Sequence, residues 1–278
     1  MTFGHTLATA RPAPGELIVY ALGQSGYALR GERTLVLLDP WLSTELEETE
    51  GITRPVAPAL RPEEVEAVDV VCITHEHADH LDPRTIAAIA ERIPDARFVA
   101  PGPALGLLAG AGAERGIAAS AVATVEVGGV RVTGVAAAHE LHPDAFGGYR
   151  FWLDEHGDHR ALGLLVEVEG HRVFHAGDTI WWPGLEDELR ALSPELAFLP
   201  INGRDAMREA QGLWGNLTAD EAAALAAAAG LPAVVACHFD GVAGNLGDPD
   251  AFLAALAERA PATRAHVLHP GQELHLTG

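Results

Sequence analysis

The sequence predicts an α/β protein built as an αββα sandwich: two mixed sheets face to face, with helices outside. Three observations carry this. Short apolar runs of strand type alternate with stretches of helical spacing along the chain. The second half repeats the style of the first, strands first and helices later, so each half supplies one sheet and its cover. No linker or low-complexity break separates them, so residues 15–278 read as one domain behind a loose lead over residues 1–14.

The elements follow in order. Glu16 to Leu22 is an apolar strand, Gly26 to Arg30 can pair with it, and Thr34 to Asp39 is a buried run ending in Asp39-Pro40-Trp41. The polar, proline-containing stretch from Ser43 to Arg61 reads as a loop. Pro62-Glu63-Glu64 looks like a helix start leading into the strand Asp69 to Thr74. Pro83 to Arg92 has helical spacing, Phe98 to Ala100 is a strand, and an Ala/Leu/Gly helix runs to about Gly112. Ala123 to Val127 and Val130 to Ala138 form a hairpin turning at Gly128-Gly129. Leu162 to Val168 and His171 to His175 form another around Glu169-Gly170, and Pro194 to Pro200 holds a further strand. Thr218 to Ala229 is a helix whose Thr218 and Glu221 make a capping box. A strand at Ala233 to Cys237, a helix at Asp248 to Arg259 and a strand at Ala265 to Leu268 close the chain. Gly147 to Arg160 is a polar insertion, a solvated hairpin tip or an accessory metal loop.

At 278 residues, 48% of them hydrophobic, the chain can bury a sizeable core. All eighteen basic residues are arginine, and thirty-nine acidic residues leave a formal charge of −21. Such a surface repels phosphate backbones and anionic lipid, so nucleic acid and membrane partners are disfavoured and a small-molecule substrate is expected. The Ala-rich helices serve as outer faces or as a homo-oligomer interface. Cys72 and Cys237, both in apolar runs, read as buried free thiols. With no apolar run of signal or membrane length, this places the protein in the cytoplasm.

The chemistry concentrates in His75-Glu76-His77-Ala78-Asp79-His80, immediately after an apolar strand. Three imidazoles and a carboxylate on one turn suit borderline divalent cations. Further ligands must come from other strand ends, since strand ends on one rim can converge. His139, Asp178 (in Gly177-Asp178-Thr179) and His238 each follow a strand.

This order resembles the metallo-β-lactamase-fold hydrolases over about residues 15 to 278. The resemblance implies that His75, His77 and His139 hold one metal ion and Asp79, His80 and His238 a second, with Asp178 bridging both. Asp39 would orient the histidine turn through hydrogen bonds. Pro200-Ile201-Asn202-Gly203-Arg204, Gly215-Asn216-Leu217-Thr218, Gly244-Asn245, Gly247-Asp248-Pro249 and the tail Pro270-Gly271-Gln272-Glu273 look like the L-ascorbate-6-phosphate lactonase branch.

The expected activity is hydrolysis of a small polar or phosphorylated cyclic ester by hydroxide held on two divalent ions, zinc or manganese. Asp79 would move the proton. The alternatives are phosphodiester hydrolysis by the same centre and a non-catalytic metal-binding scaffold. Arg204 is the candidate for gripping an anionic substrate group. Asn202, Asn216 and Asn245 either bind sugar-like hydroxyls or shape turns. His175 touches the site from behind or is simply packed, and Trp181 and Trp182 wall the pocket or fill the core.

Overall fold

In the computed structural model, which describes residues 2–139 and 149–278, two seven-stranded sheets pack face to face. The first sheet contains β1 (Glu16–Gly23), β2 (Gly26–Arg30), β3 (Leu35–Leu38), β4 (Val70–Cys72), β5 (Arg97–Pro101) and β6 (Gly116–Ala119). The second contains β7 (Thr124–Val127), β8 (Val130–Ala136), β9 (Leu162–Val168), β10 (His171–His175), β11 (Leu196–Pro200), β12 (Ala233–Cys237) and β13 (Arg264–Val267). The last strand, β14 (Glu273–Thr277), returns to the first sheet and pairs with β1. Each sheet is antiparallel in one half and parallel in the other. Pairing turns parallel from β3 through β6 in the first sheet and from β10 through β13 in the second.

Period-2 alternation explains the layers. Leu17, Val19, Ala21, Val70 and Cys72 point to the space between the sheets, where they meet Val130, Val132, Leu164, Val166, Val235 and Cys237. The residues between them point outward. Ile18, Tyr20, Val71 and Ile73 lie under helices α1 (Phe3–Thr9), α3 (Pro83–Arg92) and α4 (Leu105–Gly110). Val234 and Ala236 lie under α5 (Leu185–Leu192), α7 (Ala219–Ala229) and α8 (Pro249–Arg259). Strands covered on both faces are apolar throughout, which is why they read as runs rather than alternations. Cys72 and Cys237 are buried free thiols.

Sequence and structure part company at the surface. Residues 3–9 are not a loose lead: Thr2 caps α1 by accepting from the His5 N–H, and Leu7 is buried against the first sheet. Part of the Ser43 to Arg61 loop is α2 (Glu45–Glu50), which buries no residue and so leaves no apolar period to detect. The short α6 (Ala206–Ala210), the edge strands β6 and β14, and α5 also escape the pattern. The turn Asp154 to Asp158 in the insertion is the expected solvated tip, closed by a Leu153–His159 bridge. Asp154 accepts N–H groups from His156 and Asp158, and no three-ligand group forms there among the described residues. Gly147 and Gly148, at its start, lie outside the described residues. No helix among the described residues is long and apolar enough to cross a membrane.

Candidate metal centre

Strand direction brings the site together. The parallel strands β3 and β4 end at Asp39 and the histidine turn; β10, β11 and β12 end before Asp178, Asn202 and His238. Two antiparallel steps separate β1 from β3 and β8 from β10, so the carboxyl ends of β1 and β8 reach the same rims. Carboxyl ends of parallel strands are where open α/β sheets place ligands. The backbone also joins His139 to Asp178: Ala138 and Ile180 form a bridge, and the Ala138 N–H donates to Thr179 Oγ1 at 3.0 Å.

All seven candidate ligands converge. His75, His77 and His139 form one group, with His75 Nε2 3.0 Å and His139 Nε2 3.2 Å from His77 Nδ1. Two nitrogens bound to one tetrahedral ion stand roughly 3.3 Å apart, so this spacing is that of ligands sharing a cation. Asp79, His80 and His238 form a second group, and His75, His80 and Asp178 make a third set that spans the two. Asp178 reaches both, with Oδ1 3.2 Å from His80 Nε2 and Oδ2 3.2 Å from His238 Nε2 and 3.6 Å from His139 Nε2. His80 Nε2 and Asp178 Oδ1 are buried without a hydrogen-bond partner. Buried polar atoms are almost always satisfied, and orphans aimed at one another fit a divalent cation between them.

The two groups differ electrostatically. Burial, reinforced by neighbouring imidazoles, pushes His75 and His77 down and His139 down to about 3, so these rings are neutral and present lone pairs. Burial also opposes charge on His80 and His238, but the carboxylates of Asp178 and Asp79 outweigh it. They raise His80 well above the usual range and His238 to about 9. The same imidazoles hold Asp178 and Asp79 low against burial.

Behind the ligands lies a support layer. Asp39 accepts from Thr74 N–H at 2.8 Å, Thr74 Oγ1 at 2.6 Å and His80 Nδ1 at 2.7 Å. His175 is more than packing: its Nε2 donates to the Ser25 carbonyl at 2.7 Å, and its Nδ1 accepts the Gly177 N–H at 2.9 Å, fixing the turn that carries Asp178. Gly177 is required there, since its φ is +58° and a Cβ would stand 2.7 Å from Thr74 Cβ. Asp39 and His238 also adopt left-handed backbone, with φ of 40° and 54°, a conformation non-glycine residues hold at a cost near functional sites.

Gln24, which nothing in the sequence marked, follows β1 with φ 54°. Its Nε2 donates to Asp79 Oδ2 at 3.0 Å and lies 3.1 Å from His238 Nε2, while its Oε1 accepts the Gly241 N–H. Only the direction of β1 reveals it.

The expected substrate contacts are corrected. Arg204 is not free to grip an anion: its guanidinium is bidentate to Glu221 (2.6 and 2.7 Å) and also donates to the Asn216 carbonyl. The acidic member of the capping box is its partner. Asn202, Asn216 and Asn245 bond one another, with Asn216 Nδ2 to Asn202 Oδ1 at 3.1 Å and Asn202 Nδ2 to Asn245 Oδ1 at 3.0 Å. They tie loops together, and only Asn245 lines the cavity over the ligands. Trp182 is buried in the core with its Nε1 on the Ala136 carbonyl, and Trp181 bonds Glu186. The aromatic surface at the site is instead Trp152 and Trp214, 5.2 and 5.0 Å from the His77 ring. Trp152 comes from the insertion, beside Arg160, which pairs with Glu76 of the histidine turn at 2.5 Å.

Comparison with known proteins agrees with this geometry. The family described as "Beta-lactamase superfamily domain" matches residues 34–239, a span that includes all seven candidate ligands. A "UPF0173 metal-dependent hydrolase" of Aeropyrum pernix is 28% identical over 272 residues, covering 90% of this chain and 94% of that protein. Igni18, a metallo hydrolase of Ignicoccus hospitalis, superposes with a TM-score of 0.67 at 20% identity over 95% of this chain and 99% of that one. The metallo-β-lactamase fold protein YhfI of Bacillus subtilis does so with 0.63 at 15% identity over 94% and 100%. At such identities the structural likeness speaks to the fold alone.

Proposed function

The chain belongs to the beta-lactamase superfamily and is a metal-dependent hydrolase, and we propose that it opens small cyclic esters with two divalent ions at its donor groups. The observation that carries the two-ion reading is Asp178, whose carboxylate lies within 3.2–3.6 Å of nitrogens from both histidine groups. His75, His77 and His139 would hold one ion; Asp79, His80 and His238 the other; Asp178 would be shared. The all-N/O donor set suits zinc or manganese. Bound there, the ions would supply Lewis acidity and an activated water.

This chain's own residues do the rest. Asp79 lines the cavity, so it is placed to accept a proton near the reacting bond and return it to the leaving oxygen. Asp39 keeps His80 turned with Nε2 toward Asp178. Gln24 holds the Asp79 carboxylate and His238 in one orientation. Trp152 and Trp214 set aromatic surface beside the His77 ring.

The lactone preference rests on the resemblance of the Asn202 to Arg204 and Gly215 to Thr218 segments to the L-ascorbate-6-phosphate lactonase branch. The phosphate part of that resemblance has no support in the cavity, because Arg204 is occupied by Glu221. The acidic surface and buried free thiols fit a cytoplasmic enzyme of small molecules.

A panel of lactones and phosphodiesters, with protein loaded with zinc or manganese, tests this. Lactone hydrolysis that disappears in His77→Ala, with the circular dichroism spectrum kept, supports the proposal. Turnover of phosphodiesters alone replaces the bond class, and inertness toward every ester at full metal occupancy leaves a metal-binding scaffold.

A further inference from the structure

We infer that the site takes a neutral substrate bearing an apolar group, seated against Trp214, and discriminates against substrates with an additional anionic group. This rests on the hydrolase reading above. A cavity of about 260 Å³ opens over His77, His139, Asp178 and His238, room for a small molecule. Away from the ligands its lining includes Leu46, Ile52, Leu213, Trp214 and Val242, with Glu50 and Asn245 as the polar side chains. The Trp214 ring stands 5.0 and 5.1 Å from the rings of His77 and His139, so aromatic surface directly adjoins the reacting position.

The chain has no lysine, and no arginine lines the cavity among the described residues. The arginines of surrounding segments have partners of their own. Arg54 stacks on Trp41 at 3.4 Å, lies 3.3 Å from Glu47 and donates to the Ser43 carbonyl, with Nε and Nη1 buried without a hydrogen-bond partner, and Arg160 pairs with Glu76. Arg204 pairs with Glu221 and Arg208 with Asp205. Residues 140–148 contain no basic residue other than His142. Apart from the candidate ligands, the charged residue lining the cavity among the described residues is the exposed Glu50, and the Asn245 carboxamide oxygen already accepts from Asn202 and Arg208. A phosphate or carboxylate remote from the ester would lose hydration against apolar side chains and face a like charge. An alkyl or phenyl group would exchange water for Trp214 and its neighbours, a gain that grows with each buried methylene.

The test uses γ-butyrolactones substituted beside the ring oxygen with methyl, butyl, phenyl or carboxyl, and the corresponding lactams as non-reacting binders followed by calorimetry. With metal-loaded protein, kcat/KM should rise about tenfold or more from methyl to butyl or phenyl, and fall about tenfold from methyl to carboxyl. In Trp214→Ala the phenyl-to-methyl ratio should drop toward one. Leu213→Arg, which brings a cation to the same wall, should shift the preference toward carboxyl, and it keeps the test decisive if Trp214→Ala does not fold. A flat series with hydrolysis intact overturns this inference and leaves the hydrolase reading standing. If no lactone is hydrolysed, the cyclic-ester reading falls, and the lactams still decide. Tighter binding of the phenyl lactam by the native protein than by Trp214→Ala upholds the apolar subsite; equal binding overturns it.

Discussion

His80 donates its Nδ1–H to the Asp39 carboxylate over 2.7 Å, with both side chains fully buried, and this bond sets Nε2 as the ring atom that faces Asp79 and Asp178. Asp39→Asn keeps the size and tolerates the left-handed backbone. Its carboxamide cannot accept from both Thr74 and His80 as two carboxylate oxygens do, so the imidazole loses its fixed orientation. Metal affinity should fall about 10- to 100-fold. Competition with a chromophoric chelator measures it, and unchanged affinity would remove Asp39 from the support layer.

Asp178→Asn removes the charge shared by both histidine groups while keeping their packing. We expect turnover to fall by at least about a thousandfold. Bound metal after dialysis should drop from the proposed two ions per chain to one or none, read by elemental analysis. Two retained ions would show that Asp178 does not bridge.

Chelation should abolish hydrolysis, and added zinc or manganese should restore it. Ions that bind only the folded chain stabilise it by about 2.7 kcal/mol at a hundred times their dissociation constant, so metal-free protein should melt several degrees lower. Scanning calorimetry with and without metal checks this; identical transitions would argue against the proposed centre.

Arg204→Ala should act on the fold and not on substrate choice. Its pair with Glu221 is part-exposed, so the loss should be on the order of 1 kcal/mol. The ratio of kcat/KM for charged and neutral substrates should stay within about twofold of the native value. A selective loss on charged substrates would return Arg204 to the binding site.

Glu169 ties the two sheets together. At the β9–β10 turn, its carboxylate accepts backbone N–H groups from Glu32, Arg33 and Thr34 at 2.7, 3.0 and 2.9 Å. Burial alone would raise its pKa, but these bonds lower it below the ordinary 4.5. A depressed carboxylate contributes stability that is present above 4.5 and lost as pH falls through the folded value. Glu169→Gln should therefore destabilise the protein by about 1 kcal/mol at neutral pH and much less in acid. Urea titrations at pH 7 and pH 3 would expose an error if the difference were the same at both.

Much of the strand framework was legible because buried strands leave continuous apolar runs. Gly26 to Arg30, Leu162 to Val168, His171 to His175 and Ala233 to Cys237 are found with the bounds read from sequence. Pro83 to Arg92 and the Thr218 capping box were equally readable, since proline at a helix start and a Ser/Thr–Glu pair are local signals. Elements that bury little, such as α2 and the edge strand β14, left no such trace.

Sequence alone determined the seven converging side chains, because each sits at a strand end where the apolar run stops and polar chemistry begins. Which neighbours they would meet was decided by the tertiary fold. Gln24 reaches Asp79 only through the direction of β1, Trp214 and Trp152 reach His77 only through loops closing over the rim, and Arg204 lost its expected role to Glu221. Hydrophobic period is a property of neighbours along the chain. Partnership between polar groups depends on distance in space, which the period does not encode.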